Sequence, residues 1–306
     1  MASAIPKVVH MIWIQGEAHL VETKPWWSGP DGRKASWARW MPQWQVKVWS
    51  GAEVEQLLRT HYPQLLRVYH APGIKFACQS DIGRYAIIHR FGGLYADVTY
   101  QVVRSFDWFF EGDVDVVAMY HDVTRAEGRM FGIFSNNCWF AAVARHRSMA
   151  RLIDHMAALQ IPRTWSAKTI LTLTGPNALW NALQHELHNP RARFIPSTVI
   201  DPTHMAHGMP EALARPGCTM TTEMEKTLQQ ALPGAVAIHN GNLSYANPVE
   251  RMGVKTYGFV RRHGVFLVPS MFLVILALLV AVCVLAVLLA RVRQQHRRAA
   301  QSVQKE

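Results

Sequence analysis

The residues best suited to chemistry in this 306-residue sequence are an aspartate and a threonine two positions apart, Asp97 and Thr99, in the stretch LYADVTY. The surrounding pattern predicts a strand over 94–103, and side chains two positions apart on a strand point to the same side. An acidic side chain followed by a second oxygen ligand at this spacing suits a hard divalent cation, Mg²⁺ or Mn²⁺. Such a cation keeps substrate phosphates and waters among its ligands, so it can offset the charge of a diphosphate.

A second aspartate and an arginine precede this pair on a predicted helix. Asp81 and Arg84 are three positions apart, so they share one face of that helix. Gly92 and Gly93 follow where a C-cap glycine belongs, and they turn the chain into the strand. The spacing also has a plain alternative, in which Asp81 and Arg84 form a surface ion pair and Asp97 only caps a strand end.

These residues need a scaffold, and the hydrophobic pattern of the first 200 residues predicts one. Short β-branched runs alternate with helical patterns, which indicates an α/β domain with a mixed sheet. The predicted strands are 5–14, 46–49, 94–103 and 114–119, and the predicted helices are 52–66, 74–90, 147–160 and one that opens at 174–176 with proline in its first turn. A tryptophan-rich stretch broken by proline and glycine, 25–42, and residues 195–235 carry no assignment.

An uncharged apolar segment, Val265–Ala290, follows the predicted domain. About 20 apolar residues span the hydrocarbon core of a bilayer, and a buried helix of a soluble domain rarely stays apolar on every face. We therefore predict a globular domain over 1–260, a transmembrane helix over 265–290 and a basic tail over 291–306. The alternative, a buried central helix, leaves the arginine clusters after the segment unexplained.

The charge and the cysteines narrow the choice of partners. The chain carries 32 Lys and Arg against 21 Asp and Glu, a net charge of +11. No Lys/Arg stripe of the kind that binds nucleic acid is visible, so we expect no nucleic-acid partner and assign the charge to an anionic ligand or a membrane surface. The four cysteines are far apart and contain no C-x-x-C pair, so their spacing predicts neither a zinc site nor a disulfide framework.

The segment CQSDIGRYAIIHRFGGLYADVTY, residues 78–100, resembles the sugar-binding region of glycosyltransferases with a D-x-D motif. The pattern of that family runs S-D-x-x-R-Y, a hydrophobic stretch, then G-G-x-Y-x-D-x-D, and the matching residues are Ser80, Asp81, Arg84, Tyr85, Gly92, Gly93, Tyr95 and Asp97. The stretches VHMIWIQG, MPQWQVKVWS, FSNN and LTGP are similar to further signatures of the family. By layout the sequence is similar to glycosyltransferase family 32, which includes inositol phosphorylceramide mannosyltransferases and Och1-like enzymes.

This resemblance implies a GT-A fold for residues 1–260, a nucleoside diphosphate sugar as donor, and Mn²⁺ or Mg²⁺ as cofactor. Carried over by position, it implies that Trp13 stacks on the nucleobase, that Asp81 and Arg84 hold ribose and sugar hydroxyls, and that Asp97 begins the metal motif. Tyr85 is carried over with them into the donor site. The catalytic residues implied in this way are Asp97, Asp81 and Arg84.

Two positions bear on the strength of the metal site. Thr99 stands where the family has its second aspartate, and a neutral hydroxyl binds a hard cation more weakly than a carboxylate does, so we expect a lower metal affinity. Some capsule-synthesis relatives carry the same D-x-T, so inactivity does not follow. His239 stands where the family tends to place a late histidine near the metal. The implied metal ligands are therefore Asp97, Thr99 and His239, and the alternative for His239 is a structural role.

The combined prediction is a membrane-anchored glycosyltransferase that transfers a hexose with retention of configuration. The first choice is mannose from GDP-mannose to a lipid-linked acceptor such as inositol phosphorylceramide, because a membrane helix holds the site near lipid headgroups. Two alternatives are left open. One is a capsule- or glycan-type hexosyltransferase with an oligosaccharide acceptor, and the other is a non-catalytic membrane protein that binds sugar nucleotide.

The expected location is a membrane, with a single C-terminal anchor. Basic residues flank the apolar segment almost equally on both sides, so the positive-inside rule hardly discriminates between orientations. Residues 1–4 lack the features of a signal peptide, which favours a domain that faces the cytosol. The family resemblance favours the lumen of the Golgi or endoplasmic reticulum, and the side of the membrane is left open.

Overall fold

The computed structural model of the protein describes residues 5–120, 135–200 and 222–239, which all lie within one compact unit, Met1–Asn247. The predicted membrane helix, 265–290, and the predicted tail, 291–306, lie outside the described residues. The division of the chain at residue 260 therefore stays a prediction. None of the helices in the three described ranges is long and apolar enough to cross a bilayer.

The strands of the described ranges are β1 (Val8–Ile12), β2 (Gln45–Trp49), β3 (Gly93–Ala96), β4 (Tyr100–Val102), β5 (Val116–Tyr120), β6 (Ser135–Ala142), β7 (Ala192–Pro196) and β8 (Ala237–His239). Six of them form a sheet in the order β2-β1-β3-β6-β5-β7, and β4 pairs with β8 in a second sheet. β1 runs parallel to β2 and β3, β6 is antiparallel to β3 and β5, and β7 is parallel to β5. The predicted α/β class with a mixed sheet is confirmed.

The helices of these ranges are α1 (Glu17–Thr23), α2 (Pro25–Ser28), α3 (Arg33–Trp40), α4 (Gly51–His61), α5 (Leu66–Tyr69), α6 (Phe76–Phe91), α7 (Arg147–Ala158), α8 (Ala167–Leu173), α9 (Pro176–Leu183), α10 (Ser197–Ile200) and α11 (Thr222–Ala231). Short 3₁₀ turns lie at Pro63–Leu65, Asp107–Phe110 and Gln184–Glu186. The four predicted helices correspond to α4, α6, α7 and α9. The unassigned tryptophan-rich stretch contains α2 and α3, which begin with proline and after a glycine respectively.

The large sheet separates two hydrophobic cores. Because side chains alternate along a strand, Tyr95 and Phe140 face one core with α6, whereas Leu94 and Trp139 face the other core with the tryptophan-rich helices. Helices therefore cover both faces of the sheet, as expected for an α/β domain.

Three glycines set the path of α6 and of the turn after it. A Cβ on Gly83 would lie 2.8 Å from Val54 Cγ1, so glycine allows α6 and α4 to pack closely. Gly92 has φ 68° and is the predicted C-cap glycine of α6. Gly93 has φ 96°, and a Cβ there would lie 2.6 Å from the carbonyl oxygen of Val8. The turn that places β3 beside β1 therefore requires glycine.

A buried histidine ties this turn to the neighbouring strands. Trp49 Nε1 donates to His10 Nδ1 at 3.1 Å, so the proton of the neutral ring is on Nε2, which donates to the carbonyl oxygen of Gly92 at 3.1 Å. Burial lowers the pKa of His10 to about 4, and the nearby Lys47 also lowers it. His10 is therefore a neutral structural link between β1, β2 and the end of α6.

The strand predicted over 94–103 is wrong in one respect that bears on the site. β3 ends at Ala96, and residues 97–99 form a turn in which the Tyr100 N–H donates to the Asp97 carbonyl oxygen at 3.0 Å. The chain then enters β4, which belongs to the other sheet. Strand alternation consequently does not apply to Asp97 and Thr99. The buried Arg33, on α3, stabilises the turn because its Nε atom donates to the Thr99 carbonyl oxygen at 2.9 Å.

Candidate active site

The candidate site lies at the edge of the large sheet where parallel strands end. β1 and β3 are parallel, with His10 opposite Tyr95, so the residues that follow both strands emerge at the same edge. Trp13 follows β1 and Asp97 follows β3. Ligands of open α/β sheets commonly bind outside the carboxyl ends of such strands.

Asp81 is buried within this edge, on α6. Its Oδ1 accepts from Asn137 Nδ2 at 2.7 Å, and its Oδ2 accepts from Thr174 Oγ1 at 2.9 Å. Arg84 Nη2 lies 3.3 Å from Oδ1, and both side chains are more than nine-tenths buried. The alternative of a surface ion pair is therefore wrong. Burial raises the pKa of Asp81 to about 6, although Arg84 and the two hydrogen-bond donors lower it.

Arg84 connects α6 to the two strands at the edge. Its Nη1 donates to the Asn137 carbonyl oxygen at 2.7 Å and lies 3.7 Å from Asp97 Oδ1. Its guanidinium carbon lies 4.5 Å from the centre of the Tyr95 ring. A planar guanidinium can make these contacts at once, because its five N–H donors point in fixed directions and its face stacks on an aromatic ring.

The two oxygens of Asp97 have different neighbours. Tyr95 donates its hydroxyl to Oδ1 at 2.8 Å, on the side of Arg84, whereas Oδ2 lies 3.8 Å from His239 Nε2. Burial opposes ionisation of this carboxyl, but the positive charge of Arg84, together with His239, holds the pKa of Asp97 below its usual range. Asp97 is therefore a carboxylate at neutral pH with one oxygen held by the protein.

Three potential metal ligands, one of them Asp97 itself, lie close together at this point. Asp97, Cys138 and His239 each offer one ligand atom, and these atoms all lie within 4.8 Å of one another. Carboxylate, thiolate and imidazole all bind divalent cations, so these residues fit such an ion. The metal-ligand role of His239 stays a prediction, but the structure brings it to Asp97. The Thr99 hydroxyl likewise stays a predicted ligand, without the support of strand alternation.

The sequence pattern did not indicate a role for Cys138, because this cysteine belongs to no C-x-x-C pair and to no spacing that predicts a disulfide framework. The available signal was its position in the FSNNC stretch, since Asn137 and Cys138 both come from β6, the strand beside β3. The pattern likewise did not indicate roles for Asn137 and Thr174, although both lie in stretches that resemble family signatures. These two residues supply the hydrogen bonds to Asp81.

Tyr85 lies behind the site. Its ring is fully buried, and its hydroxyl donates toward the carbonyl oxygens of Thr174 and Gly175 at 2.9 and 3.2 Å and accepts from Asn137 Nδ2 at 3.0 Å. These contacts join α6 to the turn that starts α9. A direct contact of Tyr85 with the donor stays a prediction.

Trp13 is half-buried at the same edge of the sheet. Its Nε1 donates to His19 Nδ1 at 3.2 Å, and the two rings are stacked with their centres 6.3 Å apart. The Lys24 ammonium lies 5.9 Å from the centre of the Trp13 ring. These contacts with His19 and Lys24 fix the orientation of the indole ring. The sequence pattern did not predict either contact. Stacking on a nucleobase stays a prediction.

Comparison with known proteins supports the resemblance that the motifs carry. Residues 31–117 match the family described as glycosyltransferase sugar-binding region containing DXD motif, and this range includes Asp81, Arg84 and Asp97. Inositol phosphoceramide mannosyltransferase 3 of Schizosaccharomyces pombe is 26% identical over 106 residues, which are 35% of this chain and 27% of that protein. The chain thus matches about a quarter of that relative's length. The resemblance to the D-x-D-motif glycosyltransferase family is confirmed over this region.

Comparison with solved structures finds several glycosyltransferases at low similarity. The PaToxG glycosyltransferase is 18% identical with a TM-score of 0.36, covering 75% of this chain and 85% of that one. The galactosyltransferase LgtC, solved with donor and acceptor sugar analogues, is 10% identical with a TM-score of 0.36, covering 83% and 95%. GlyE of Streptococcus pneumoniae is 12% identical with a TM-score of 0.36, covering 83% and 60%.

Proposed function

We propose that this protein is a metal-assisted glycosyltransferase that uses a nucleoside diphosphate sugar. The observation that carries the proposal is the placement of Asp97, an ionised carboxylate at the end of a sheet strand, between the Arg84–Asp81 pair and the ligand atoms of Cys138 and His239. All three charged residues lie in the range that matches the sugar-binding family.

The proposed role of each site residue follows from its contacts. When bound, a divalent cation neutralises the diphosphate leaving group. Asp97 and His239 would hold this ion at the strand ends, while Arg84 and Tyr95 keep Asp97 Oδ1 in place. Because Arg84 and Tyr95 are buried and already hold Asp97 in one orientation, the site can stabilise developing charge with little reorganisation during the reaction. Trp13, at the same edge, presents an aromatic ring to the base.

We propose transfer with retention by attack of the acceptor on the same face from which the diphosphate leaves. A double displacement needs a free carboxylate nucleophile, but Asp81 accepts two hydrogen bonds from neutral donors and pairs with Arg84. Asp97 is held by Tyr95 and by Arg84. Neither carboxylate is available to form a covalent bond to the sugar.

Mannose from GDP-mannose is the proposed donor, and a membrane lipid such as inositol phosphorylceramide is the proposed acceptor. The name of the S. pombe relative supports this choice. The uncharged segment Val265–Ala290 supports it as well, because we propose that it anchors the protein in an endomembrane of the Golgi or endoplasmic reticulum. An oligosaccharide acceptor of the capsule or glycan type is the second choice for the same transfer.

One observation favours a second function, a non-catalytic protein that binds sugar nucleotides. Thr99 provides no negative charge at the second position of the motif. If that loss inactivates the site, Thr99→Asp should create transfer activity that the natural protein lacks. If the natural protein is active, the same change should preserve activity.

The test is donor hydrolysis by the full-length protein purified in detergent. GDP-mannose, UDP-glucose and UDP-galactose are each incubated with Mn²⁺, with Mg²⁺, or with chelator. We expect metal-dependent release of the nucleotide from one donor, and its loss in Asp97→Asn. Asp113→Asn, which changes an exposed aspartate paired with Arg191, is the control and should keep wild-type turnover. Wild-type turnover in Asp97→Asn would overturn the assignment of the site.

A further inference from the structure

We propose that Cys138 is a metal ligand, and that Asp97, Cys138 and His239 form a three-ligand site that prefers Zn²⁺ or Co²⁺ to Mg²⁺. The inference rests on the proposed function for the role of the ion in transfer, but the binding of the ion is a separate property of these residues. The three side chains come from three separate segments: the residue after β3, the middle of β6, and the end of β8.

The pairing of strands brings the ligands together. Ala96 is opposite Trp139 in the antiparallel β3–β6 pair. The same register places Asp97 opposite Cys138, and the Asp97 N–H donates to the Cys138 carbonyl oxygen at 2.9 Å. Residues opposite each other in such a pair have side chains on the same side of the sheet. In the second sheet, Tyr100 of β4 is opposite His239 of β8. Because Tyr100 follows Asp97 by three residues, this pairing brings His239 close to Asp97.

The spacing of the ligand atoms fits one ion. The atoms lie within 4.8 Å of one another, and those of Asp97 and His239 are 3.8 Å apart. Tetrahedral zinc with bonds of 2.0–2.3 Å places its ligands roughly 3.3–3.7 Å apart. Closing the difference needs side-chain shifts of only about 1 Å. Catalytic zinc sites use three protein ligands and leave a further position open, which here would take a diphosphate oxygen.

Tyr100 supports two of the three ligands. Its hydroxyl lies 3.0 Å from Cys138 Sγ, and its ring lies 4.8 Å from the His239 ring at an angle of 32°. Either atom of this contact can be the donor, and when Cys138 is a thiolate, the form that binds metals, the tyrosine hydroxyl can donate to it. Residues that orient ligands in this way are a regular part of metal sites. On the other side, Tyr95 and Arg84 hold Oδ1 of Asp97 and leave Oδ2 toward the site.

The charge of the three proposed ligands compensates for the threonine at the second aspartate position of the D-x-D motif. A thiolate at Cys138 with the carboxylate of Asp97 carries two negative charges, as the two aspartates of a D-x-D motif do. The neutral Thr99 therefore need not weaken the site. A sulfur ligand changes its preference, however, because thiolates select zinc and similar transition metals, whereas Mg²⁺ takes oxygen ligands almost exclusively.

The test uses Co²⁺ as a spectroscopic probe in full-length protein that has been stripped of metal by chelation. Binding of Co²⁺ to a thiolate produces a charge-transfer band in the near ultraviolet, which carbonyl, carboxylate and imidazole ligands do not give. We expect this band to saturate at one Co²⁺ per chain. Stoichiometric Zn²⁺ should then remove it, and a thousandfold excess of Mg²⁺ should not.

Cys138→Ser should abolish the band, and Cys138→Asp should abolish it while retaining Mn²⁺ binding by calorimetry, which shows that the variant is folded. The matched control is Cys78→Ser, which changes the other buried free cysteine of the described ranges and should keep the band. A wild-type protein without the band, or a Cys138→Ser protein with it, would overturn the proposal.

Donor hydrolysis separates this proposal from the proposed function. A protein that shows the Cys138-dependent band but hydrolyses none of the three donors supports the metal site and contradicts the transferase. A protein that hydrolyses a donor with Mn²⁺ but lacks the band contradicts the role of Cys138 and leaves the transferase supported.

Discussion

Arg84 lies between the buried carboxylate of Asp81 and the partly buried carboxylate of Asp97, with Nη2 3.3 Å from Asp81 Oδ1 and Nη1 3.7 Å from Asp97 Oδ1. One aspartate belongs to α6 and the other follows β3, so the guanidinium joins the helix to the strand end electrostatically. Because the arginine and Asp81 are almost fully buried, removing the positive charge would leave carboxylates without their main compensation. The same residue therefore bears on stability and on the position of the candidate metal ligand.

Replacing this arginine should be costly to stability. We expect Arg84→Met to lower the free energy of unfolding by roughly 3–5 kcal/mol, the usual loss when one partner of a buried ion pair is removed. Arg59→Met is the control, because Arg59 pairs with Glu55 on the exposed surface of α4 and should cost less than about 1 kcal/mol. Urea unfolding measures both values. Equal losses in the two variants would contradict the proposed role of Arg84.

The raised pKa of Asp81 predicts a pH dependence of stability. Burial shifts it from 3.8 to about 6, so the folded protein favours the protonated form. The resulting stabilisation is complete below about pH 4 and is lost as the pH rises through about 6, a contribution of about 3 kcal/mol. In unfolding experiments from pH 4 to 7, the gap between the wild type and Asp81→Asn should narrow as the pH rises. A gap that is constant over this range would be inconsistent with the shift.

The proposed base-stacking role of Trp13 predicts a loss of donor affinity. Trp13→Ala should weaken binding of the nucleoside diphosphate sugar by about 1–3 kcal/mol, the scale of one base–aromatic stack. Trp13→Phe keeps an aromatic face and should lose less. Trp108→Ala changes an exposed tryptophan of a 3₁₀ turn and should leave the affinity unchanged. Calorimetry with the intact donor and a divalent cation measures all three, and unchanged affinity in Trp13→Ala would remove the stacking role.

The turn between α6 and β3 should tolerate no side chain at Gly93. Its φ is 96°, and a Cβ would approach the Val8 carbonyl oxygen to 2.6 Å, so Gly93→Ala should lower the free energy of unfolding by roughly 1–3 kcal/mol. Gly234→Ala is the matched control, because no heavy atom lies within 4 Å of the position of its Cβ. Thermal unfolding of both variants provides the comparison. The prediction fails if Gly93→Ala is as stable as the control.

The proposed membrane anchor predicts how the protein fractionates. Full-length protein should stay with membranes after extraction at alkaline pH, whereas a variant with three leucines of Val265–Ala290 replaced by aspartate should be released, because charged side chains at the centre of a bilayer are costly. Protease treatment of sealed microsomes then reports the side of the membrane. Cleavage of the domain without detergent would place it in the cytosol, and protection until detergent is added would place it in the lumen. Release of the unmodified protein at alkaline pH would contradict the anchor.

The sequence by itself determined the features that depend on residues close together along the chain. The alternation of apolar runs predicted an α/β domain with a mixed sheet, and the glycine pair after α6 predicted its C-cap. Asp81 and Arg84 were placed on one helix face because helical spacing is local. The S-D-x-x-R-Y and G-G-x-Y-x-D motifs were recognisable for the same reason, since they lie in one continuous segment.

Only the tertiary structure decided what lies around Asp97. The turn at 97–99 separates strands of two sheets, and residue periodicity does not show where one strand ends and the next begins. Cys138 and His239 approach Asp97 through the register of β3 with β6 and of β4 with β8. Such pairing joins segments that are distant along the chain, and it depends on the packing of both sheets rather than on local pattern. The pairing of the strands, and not the local sequence, therefore determines which residues make up the candidate metal site.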